Sequence, residues 1–244
     1  MTLIITMAGH GKRFTDAGYL GPKHRIMARG QPLFYWSMLS LVNFFEQHFI
    51  FACLKDDDID WIKQVAMFVG IKKISIYLLD EVSNGQAETA YFAARLASLN
   101  EPVWIYDIDT YVADSAMMPQ DIGISAGCIP VIKSTSPLMS YVKYDSHGKV
   151  IHVVEKSVIS EWATVGLFGF RNTQEFLQTY QQAYIKKEVA LTNGEQYVAP
   201  IYQVMIRQNK LITTPRVSNS DFYSLGTPEE LLEFDPQLKP PYGH

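Results

Sequence analysis

Cysteine and long apolar runs are scarce in this sequence. Its 244 residues include only two cysteines, Cys53 and Cys128, and no run approaches the roughly 18 apolar residues that a membrane-spanning helix needs. Each cysteine lies in an apolar, strand-like stretch without metal-ligand spacing, so we expect two reduced core thiols rather than a disulfide or a metal site. The N-terminal stretch MTLIITMAGHGKRF lacks the basic start and the small-residue cleavage pattern of a signal peptide. These absences predict a cytoplasmic protein that does not act in a membrane.

Positive charge is not in excess either. The formal net charge is −4, which argues against a nucleic-acid-binding protein because such proteins usually carry a basic surface. A local cationic pocket for a small anion is compatible with this balance. No Ser/His/Asp or Cys/His arrangement typical of nucleophilic catalysis is visible, and the six histidines are spread along the chain. Apolar residues make up 48% of the chain, so we expect a large core.

Strand-like and helix-like segments alternate in the first half of the chain. Short apolar runs predict strands, and longer segments with acidic starts or glycine ends predict helices. The predicted strands are residues 2–8, 49–54, 73–79 and 102–109, and the predicted helices are residues 31–47, with Pro32 in the first turn, 56–70 and 84–100. This alternating order predicts a largely parallel sheet with helices on both faces.

The pattern changes in the second half, where strand-like segments follow one another. Strands are predicted at 122–132, 139–145, 150–156, 163–172 and 210–217, a hairpin turn at 145–149, and helices at 173–187, 195–208 and 227–234. No linker, low-complexity tract or internal repeat interrupts the chain. We therefore expect one α/β domain over residues 1–244, with a mixed, mostly parallel central sheet.

The stretch MAGHGKRF (7–14) is the first feature that indicates a ligand. Gly9 and Gly11 follow the first predicted strand, and glycines there let backbone amides approach a ligand closely. Phe14 stands where a dinucleotide-binding fingerprint has its third glycine, which argues against a nicotinamide-dependent oxidoreductase. The Lys-Ser/Thr pair of a Walker loop is also absent.

Three cations lie within a dozen residues of this loop: Lys12, Arg13 and Lys23. A cationic rim around exposed amides suits a polyphosphate. The alternative interpretation is a structural turn with solvated basic residues.

The longer stretch MAGHGKRFTDAGYLGPKHRIMARGQPLFYW (7–36) resembles the N-terminal signature of the sugar-phosphate nucleotidyltransferase family. That signature combines a G-x-G-x-R loop, a Pro-Lys pair further on, and a G-x-P-hydrophobic stretch that opens a helix. These parts correspond, in order, to Gly9, Gly11 and Arg13, to Pro22 and Lys23, and to Gly30 and Pro32. One departure is His24, where the family commonly has a second proline. The resemblance implies a Rossmann-like, three-layer α/β/α sandwich.

The resemblance also implies which residues bind the nucleoside triphosphate. Arg13 and Lys23 would hold its phosphates, and the stretch NGQAETAYFA (84–93) is similar to a helix start whose backbone lies against the nucleobase in the family. The residues that carry over as nucleotide-binding are Ala8, Gly9, His10, Gly11, Lys12, Asn84, Gly85 and Gln86. A polar helix start after a parallel strand is, independently, where such sheets bind ligands. A plain helix cap is the alternative.

Two carboxylates, Asp107 and Asp109, end the predicted fourth strand in WIYDIDTYV (104–112). Because side chains alternate along a strand, we expect both on the same face, about 7 Å apart. Two such acids need compensation, which a hard cation such as Mg²⁺ supplies. The register of the resemblance implies that Asp109 is the main Mg²⁺ ligand and Asp107 a second or indirect one. Surface acids at a strand end are the alternative.

The second half resembles the acceptor-binding part of the family. The stretch HVVEKSVISEWATVGLFGF (152–170) is similar to its Val-Glu-Lys segment and the following strand. This implies that Glu155 and Lys156 face the acceptor, with Lys156 on its phosphate, and that Gly166 permits close approach. In ALTNGEQYVAPIYQ (190–203), Glu195 and Tyr197 suggest a further part of the acceptor pocket. Together with Arg13 and Lys23, Lys156 completes the candidate catalytic residues.

The main departure from the family lies in FYSLGTPEEL (222–231), where Ser224 replaces an aspartate that usually binds the metal. Asp221 is a displaced carboxylate that could take this role.

The sequence predicts a Mg²⁺-dependent enzyme that condenses a nucleoside triphosphate with a sugar 1-phosphate, or a related phosphorylated polyol or amine, for surface glycans. Its size gives a mild preference for a pyrimidine nucleotide. Residues 1–120 would form the nucleotide-binding half and 121–244 the acceptor-binding half and C-terminal tail; the alternative is a catalytically silent nucleotide- or sugar-binding module of the same fold.

Overall fold

The computed structural model describes residues 1–9, 11–113 and 116–239. Fifteen strands lie in this part of the chain: β1 (Thr2–Thr6), β2 (Met27–Ala28), β3 (Gln31–Pro32), β4 (His48–Leu54), β5 (Lys73–Leu79), β6 (Val103–Asp107), β7 (Thr110–Val112), β8 (Gly127–Cys128), β9 (Val131–Lys133), β10 (Ser140–Tyr144), β11 (Val150–Glu155), β12 (Trp162–Thr164), β13 (Leu167–Phe170), β14 (Ile212–Thr213) and β15 (Phe222–Ser224).

The α-helices of the same part are mostly short. They are α1 (Lys12–Asp16), α2 (Leu33–Leu39), α3 (Ile59–Val69), α4 (Gln86–Ala93), α5 (Thr173–Tyr180), α6 (Tyr202–Arg207) and α7 (Pro228–Phe234). A π-helical turn (Gln181–Ile185) extends α5, and 3-10 turns include Lys23–Arg25, Val42–Phe44, Ala94–Leu96, Pro119–Ile122, Ala199–Ile201 and Asn219–Asp221. Within the described residues, no helix has both the length and the apolar character needed to cross a bilayer.

A seven-stranded sheet organises the molecule, in the order β14-β8-β13-β6-β1-β4-β5. Strands β6, β1, β4 and β5 are mutually parallel, whereas β13 runs antiparallel to both of its neighbours. The register aligns Thr6 with Ala52 on one side and with Asp107 on the other. The expected mixed, mostly parallel sheet is confirmed, and its parallel strands end together at one edge.

Helices cover both faces of this sheet, as alternate side chains of β1 illustrate. Leu3 and Ile5 are fully buried in the cluster that contains residues of α2 and α3. Ile4 is buried in the opposite cluster, which contains residues of α4, α5 and α6. The three-layer α/β/α arrangement expected from the sequence is therefore confirmed.

Smaller sheets stand beside the central one. Strands β11-β10-β12-β9 form a four-stranded antiparallel sheet, and β15 pairs with β7 directly after the end of β6. A third hydrophobic cluster, which includes Phe14, Leu33 and Phe234, joins α1, α2 and α7 on the β7 side. The small sheets and this third cluster surround the edge of the central sheet at which the parallel strands end.

Several predicted element boundaries were wrong. The helix expected at 31–47 starts only at Leu33, because Gly30, with a φ of 77°, turns the chain so that Pro32 pairs with Met27 in a short hairpin. The helix expected at 195–208 starts as a 3-10 turn at Ala199. Strand 163–172 is divided between the two larger sheets, as described for Gly166 below.

Candidate active site

A cleft of about 950 Å³ opens where the parallel strands of the central sheet end. Every described residue among the predicted site residues lines it: Ala8, Gly9, Gly11, Lys12, Arg13, Lys23, Asn84, Gly85, Gln86, Asp107, Asp109, Glu155, Lys156, Gly166 and Glu195. His10, the other predicted site residue, lies outside the described residues. The cleft thus gathers residues from both halves of the chain, while their individual roles stay predictions.

The glycine-rich loop runs from the end of β1 into α1. Gly11 precedes α1 with a φ of 59°, and a Cβ added there would lie 3.1 Å from the Cβ of Lys23. Glycine is needed at this position both for its left-handed backbone and for the close approach of Lys23. A Cβ at Gly9 would meet no atom within 4 Å, so this part of the loop faces open space in the cleft.

The three cations near the loop are held in different ways. Lys12 forms an exposed ion pair of 2.8 Å with Asp16 on its own helix. Lys23 is nearly buried, contacts the carboxylate of Asp109 and has its Nζ 5.3 Å from the centre of the Phe14 ring. Arg13 is exposed and lies beside Gly226, since a Cβ built there would be 3.9 Å from its guanidinium. The same Cβ would be 3.7 Å from Asp109 Oδ2, so Arg13 and Lys23 both lie near the Asp109 carboxylate.

Asp107 ends β6 and points into a network of hydrogen-bond donors. Its Oδ1 accepts a 3.0 Å hydrogen bond from the hydroxyl of Thr6 and another from Nε2 of Gln86. Burial, and next the negative charge of Asp109, raise the pKa of this carboxyl. A cation close to Asp107 and Asp109 stabilises their ionised form. Lys23 already has this effect in part, because its charge lowers the pKa of Asp107.

Asp109 lies in the bend between β6 and β7, and its side chain is 47% exposed to the cleft. The two acids therefore share the cleft, as expected, although the strand itself ends at Asp107. Within the described residues, no cluster of three or more His, Cys, Asp or Glu side chains is placed to hold a metal ion. Asp107 and Asp109 are thus a pair of carboxylates rather than a complete metal cage.

Ser224 lies close to this pair. It is opposite Thr110 in the β7–β15 ladder, and the next residue, Leu225, donates its N–H to the carbonyl oxygen of Asp109 at 2.7 Å. Asp221 does not line the cleft in the described structure, and its carboxylate accepts a 2.8 Å hydrogen bond from Ser220. The suggested replacement of the missing aspartate by Asp221 therefore has no geometric support.

The segment that starts α4 is tied to the second half of the chain. Gly85 has a φ of 137°, and a Cβ there would lie 2.6 Å from the carbonyl oxygen of Gln196. Asn84 is anchored by Glu88, which accepts hydrogen bonds from its backbone and side chain. Gln86 donates to Asp107 and accepts a 3.3 Å hydrogen bond from the N–H of Val198.

Glu155 ends β11 and Lys156 follows it, so the four-stranded sheet contributes both residues to the cleft. The Lys156 ammonium hydrogen-bonds to the hydroxyl of Tyr197 and lies 4.2 Å from the centre of its ring. Glu155 accepts a hydrogen bond from Ser140, and burial raises its pKa. Burial and a hydrogen bond with Glu195 raise the pKa of Tyr197. The predicted acceptor residues are therefore brought together.

Gly166 divides the strand that was expected at 163–172. Its φ of 82° redirects the chain from β12 in the small sheet to β13 in the central sheet. A Cβ there would be 3.6 Å from Thr110 and 3.9 Å from Asp107 Oδ2, so a larger residue would narrow the cleft beside that carboxylate.

Three acidic or histidine residues that line the cleft were not predicted as site residues from the sequence. Glu230 of α7 accepts a 2.9 Å hydrogen bond from the N–H of Gly226, and Asp57 and His24 lie next to one another near the end of β4. Glu230 lies in the first turn of α7 and Asp57 just before the N-cap of α3, where acids are expected from helix capping alone. The replacement of a proline by His24 was the only signal available for the third.

Solved structures resemble the chain over almost its whole length. The nucleoside-diphosphate-sugar pyrophosphorylase from Vibrio cholerae RC9 is 28% identical, with 97% of this chain and 100% of that chain covered and a TM-score of 0.87. The inositol-1-phosphate CTP transferase from T. maritima (14% identity, 94% and 90% covered, TM-score 0.73) and a UDP-glucose pyrophosphorylase complexed with UDP-glucose (12%, 95% and 96%, 0.74) share the fold. The resemblance to sugar-phosphate nucleotidyltransferases inferred from the sequence motifs is confirmed. No protein-family model and no curated protein matches the chain.

Proposed function

We propose that this protein is a nucleotidyltransferase that condenses a nucleoside triphosphate with a sugar 1-phosphate, releasing pyrophosphate and an NDP-sugar. The observation that carries the proposal is the convergence of Arg13, Lys23 and Lys156 with Asp107 and Asp109 on one cleft. The resemblance to pyrophosphorylases over nearly the full chain supports the same reaction class.

The reaction needs charge neutralisation and alignment more than proton transfer. A phosphomonoester has a second pKa of about 6, so it is mostly dianionic at neutral pH and attacks the α-phosphorus without a general base. Lys156 binds and orients this acceptor phosphate, whereas Arg13 and Lys23 bind the triphosphate. An oxygen–phosphorus bond forms at the α-phosphorus as the bond to pyrophosphate breaks, and the same cations stabilise the leaving group.

Mg²⁺ is the proposed cofactor. Mg²⁺ sites for phosphate transfer usually use one or two carboxylates together with substrate phosphates and water. Asp109, half exposed in the cleft, and Asp107 fit such a site, and Asp109 would be the principal ligand. The ion would supply charge neutralisation at the α-phosphate. Lys23, which contacts Asp109, would then be available to the phosphates.

The proposal also includes the base, the location and the use of the product. The nucleotide is a pyrimidine, bound by the loop at 8–12 and the segment at 84–86. The enzyme acts in the cytoplasm, and its product is used to synthesise surface polysaccharides. Glu155, Gly166 and Glu195 line the acceptor side. Nucleic acids and membranes are not partners in this proposal.

A nucleotide panel tests the function directly. CTP, UTP, dTTP, ATP and GTP are added with and without Mg²⁺, and the unfolding midpoint is measured, because a ligand that binds only the native state raises it. Pyrophosphate release is then followed with sugar 1-phosphates as acceptors. We expect a Mg²⁺-enhanced shift with one nucleotide and pyrophosphate release that requires both substrates. No midpoint shift with any nucleotide would contradict the proposal.

The variant Asp109→Ala tests the metal assignment. We expect Mg²⁺-dependent turnover to fall by about a thousandfold, because a charge-stabilising group at the reacting phosphate is lost, while the circular dichroism spectrum stays unchanged. The matched control is Asp60→Ala, which removes an exposed acid of α3 that does not line the cleft. Near-normal turnover in Asp109→Ala would remove this residue from the metal site.

Ser224 favours a second candidate function, a catalytically silent module that binds a nucleotide or a sugar. A hydroxyl is a poorer Mg²⁺ ligand than the carboxylate that the resemblance leads one to expect at this position. The panel separates the two functions: the silent module gives a midpoint shift without pyrophosphate release for any acceptor tested.

A further inference from the structure

The sheet order defines which end of the cleft receives the nucleobase, if the proposed function holds. The carboxylates proposed for the metal, Asp107 and Asp109, lie at the end of β6, on one side of β1. Strands β4 and β5 lie on the other side of β1. A triphosphate that crosses the loop after β1 therefore places its base beyond the ends of β4 and β5.

This end of the cleft has the lining that a base requires. Leu54 at the end of β4 and Val82 after β5 are partly buried apolar walls. Ser83 and Thr89, whose hydroxyls lie 2.6 Å apart, bind each other and thus leave few polar groups free for a ligand. One charged side chain of this region, Asp57, also faces the cleft.

Within the described residues, one carboxylate oxygen of Asp57 accepts a hydrogen bond and the other has no hydrogen-bond partner. Its Oδ2 accepts a 2.9 Å hydrogen bond from the N–H of Leu54, which fixes the orientation of the carboxylate. The side chain is only 11% exposed, and burial raises its pKa, so the carboxylate gains from any donor that reaches it. Arg25, whose charge partly offsets this rise in pKa, forms its ion pair with Asp58, at 2.7 Å, rather than with Asp57.

The buried ring of His24, next to Asp57, also has an unsatisfied polar atom. Its side chain is 97% buried, and its Nε2 has no hydrogen-bond partner in the described structure, with Asp57 Oδ1 3.9 Å away. Burial, with the nearby charge of Arg25, lowers its pKa to about 4, so the ring is neutral at pH 7 and does not neutralise Asp57. A buried carboxylate oxygen beside a buried, unbonded ring nitrogen is costly unless a ligand supplies a donor.

We propose that Asp57 is the residue that selects the nucleobase, and that it accepts a hydrogen bond from an exocyclic amino group. With the pyrimidine of the proposed function, the substrate is CTP rather than UTP or dTTP. An ionised carboxylate has acceptors only, so it pairs with the 4-amino group of cytosine and repels the 4-keto oxygen of uracil or thymine. His24 supports the carboxylate from the buried side and is a positioning residue.

The unmodified protein provides the first test. Dissociation constants are measured with Mg²⁺ for CTP, for UTP and for a CTP analogue that lacks the 4-amino group. We expect CTP to bind more tightly than either by about tenfold or more, because one hydrogen bond to a buried charged acceptor is lost in both. Equal affinities for the three would overturn the proposal.

The variant Asp57→Asn tests the assignment to this residue. The amide oxygen can keep the bond from Leu54, which places the NH₂ group where Oδ1 now lies, and an NH₂ group donates to a keto oxygen. We expect the CTP:UTP affinity ratio to fall by about tenfold or more and to approach or pass unity. Asp56→Asn, an equal change of charge at an exposed neighbour in the same loop, should leave the ratio unchanged.

The outcomes separate this inference from the proposed function. A protein that binds and turns over UTP or dTTP in preference to CTP, or whose ratio is the same in Asp57→Asn, overturns the role of Asp57 and leaves the nucleotidyltransferase proposal intact. Failure to bind any nucleotide overturns both. If Asp57→Asn does not fold, as judged by circular dichroism, the amino-free analogue decides the question on the unmodified protein.

Discussion

Lys156 has a backbone φ of 52°, a left-handed conformation that is uncommon for residues other than glycine. Such conformations cost free energy and persist where the surroundings hold them, often at functional sites. Here the surroundings are Tyr197, whose ring and hydroxyl both contact the ammonium, and a 3.1 Å hydrogen bond from the Lys156 N–H to the carbonyl oxygen of Met139. These contacts hold the ammonium in place at the cleft.

This arrangement predicts the effect of Lys156→Ala. Loss of a charge-assisted contact to the acceptor phosphate should raise the acceptor KM or lower kcat, by about tenfold to a hundredfold in kcat/KM. The nucleotide dissociation constant should change by less than about twofold, because the lysine does not contact the nucleotide in our assignment. Steady-state kinetics at saturating nucleotide and a separate binding titration measure the two quantities.

The control for this prediction is Lys143→Ala, which removes an exposed lysine from the neighbouring strand β10. It should leave both quantities unchanged. If the acceptor KM and kcat are unchanged in Lys156→Ala as well, Lys156 does not bind the acceptor.

Residues with local sequence signals could be placed in the cleft from the sequence, and residues defined by distant partners could not. Gly11 and Lys23 belong to one short motif, so their proximity was predictable. Asp57 was read as one of several acids before a helix, because nothing in the sequence indicates that His24, 33 positions earlier, lies 3.9 Å away. The proximity of Asp57 and His24 arises only from the tertiary fold, so the local sequence does not reveal it.

At the level of elements, the long central strands were the most predictable. Strands β1, β4, β5 and β6 lie almost entirely within their predicted ranges, since continuous apolar runs are required where both faces of a sheet are covered. Strands β8 and β14 have two residues each, and β7 and β15 have three. Elements of this size have no periodicity to detect, and long-range pairing alone forms them.

The predicted helix lengths were wrong for a related reason. The apolar residues of 31–47 are compatible with one long helix, yet the chain forms α2 and then a separate 3-10 turn at Val42–Phe44. The side chain of Asn43 donates a 2.9 Å hydrogen bond to the carbonyl oxygen of Met117, 74 positions further along the chain. Tertiary contacts of this kind override helix propensity, which is a weak preference.

At the scale of the whole molecule, two backbone hydrogen bonds of Gln196 link the predicted nucleotide-binding segment to the predicted acceptor side, and we call this pair of bonds the Gln196 joint. The N–H of Gln196 donates to the carbonyl oxygen of Asn84 at 2.8 Å, and the N–H of Ala87 donates to the carbonyl oxygen of Gln196 at 2.9 Å. The next residue, Tyr197, contacts Lys156. A displacement at Gly85 would therefore be transmitted through Gln196 and Tyr197 to Lys156.

Gly85→Ala should break this joint. The new Cβ would lie 2.6 Å from the Gln196 carbonyl oxygen at a φ of 137°, so both overlap and backbone strain oppose it. We expect the free energy of unfolding to fall by about 2 kcal/mol or more, and both nucleotide affinity and acceptor kcat/KM to fall. Urea unfolding and the two kinetic assays measure these effects.

Gly148→Ala separates overlap from backbone strain. Gly148 also has a positive φ, 78°, but a Cβ there would meet no atom within 4 Å. The control should lose only about 1 kcal/mol from strain and keep both activities, because its hairpin turn is outside the cleft. If Gly85→Ala behaves like this control, the Gln196 contact does not constrain the site. If nucleotide affinity alone falls, the two sides of the cleft are independent, and the joint serves only the nucleotide segment.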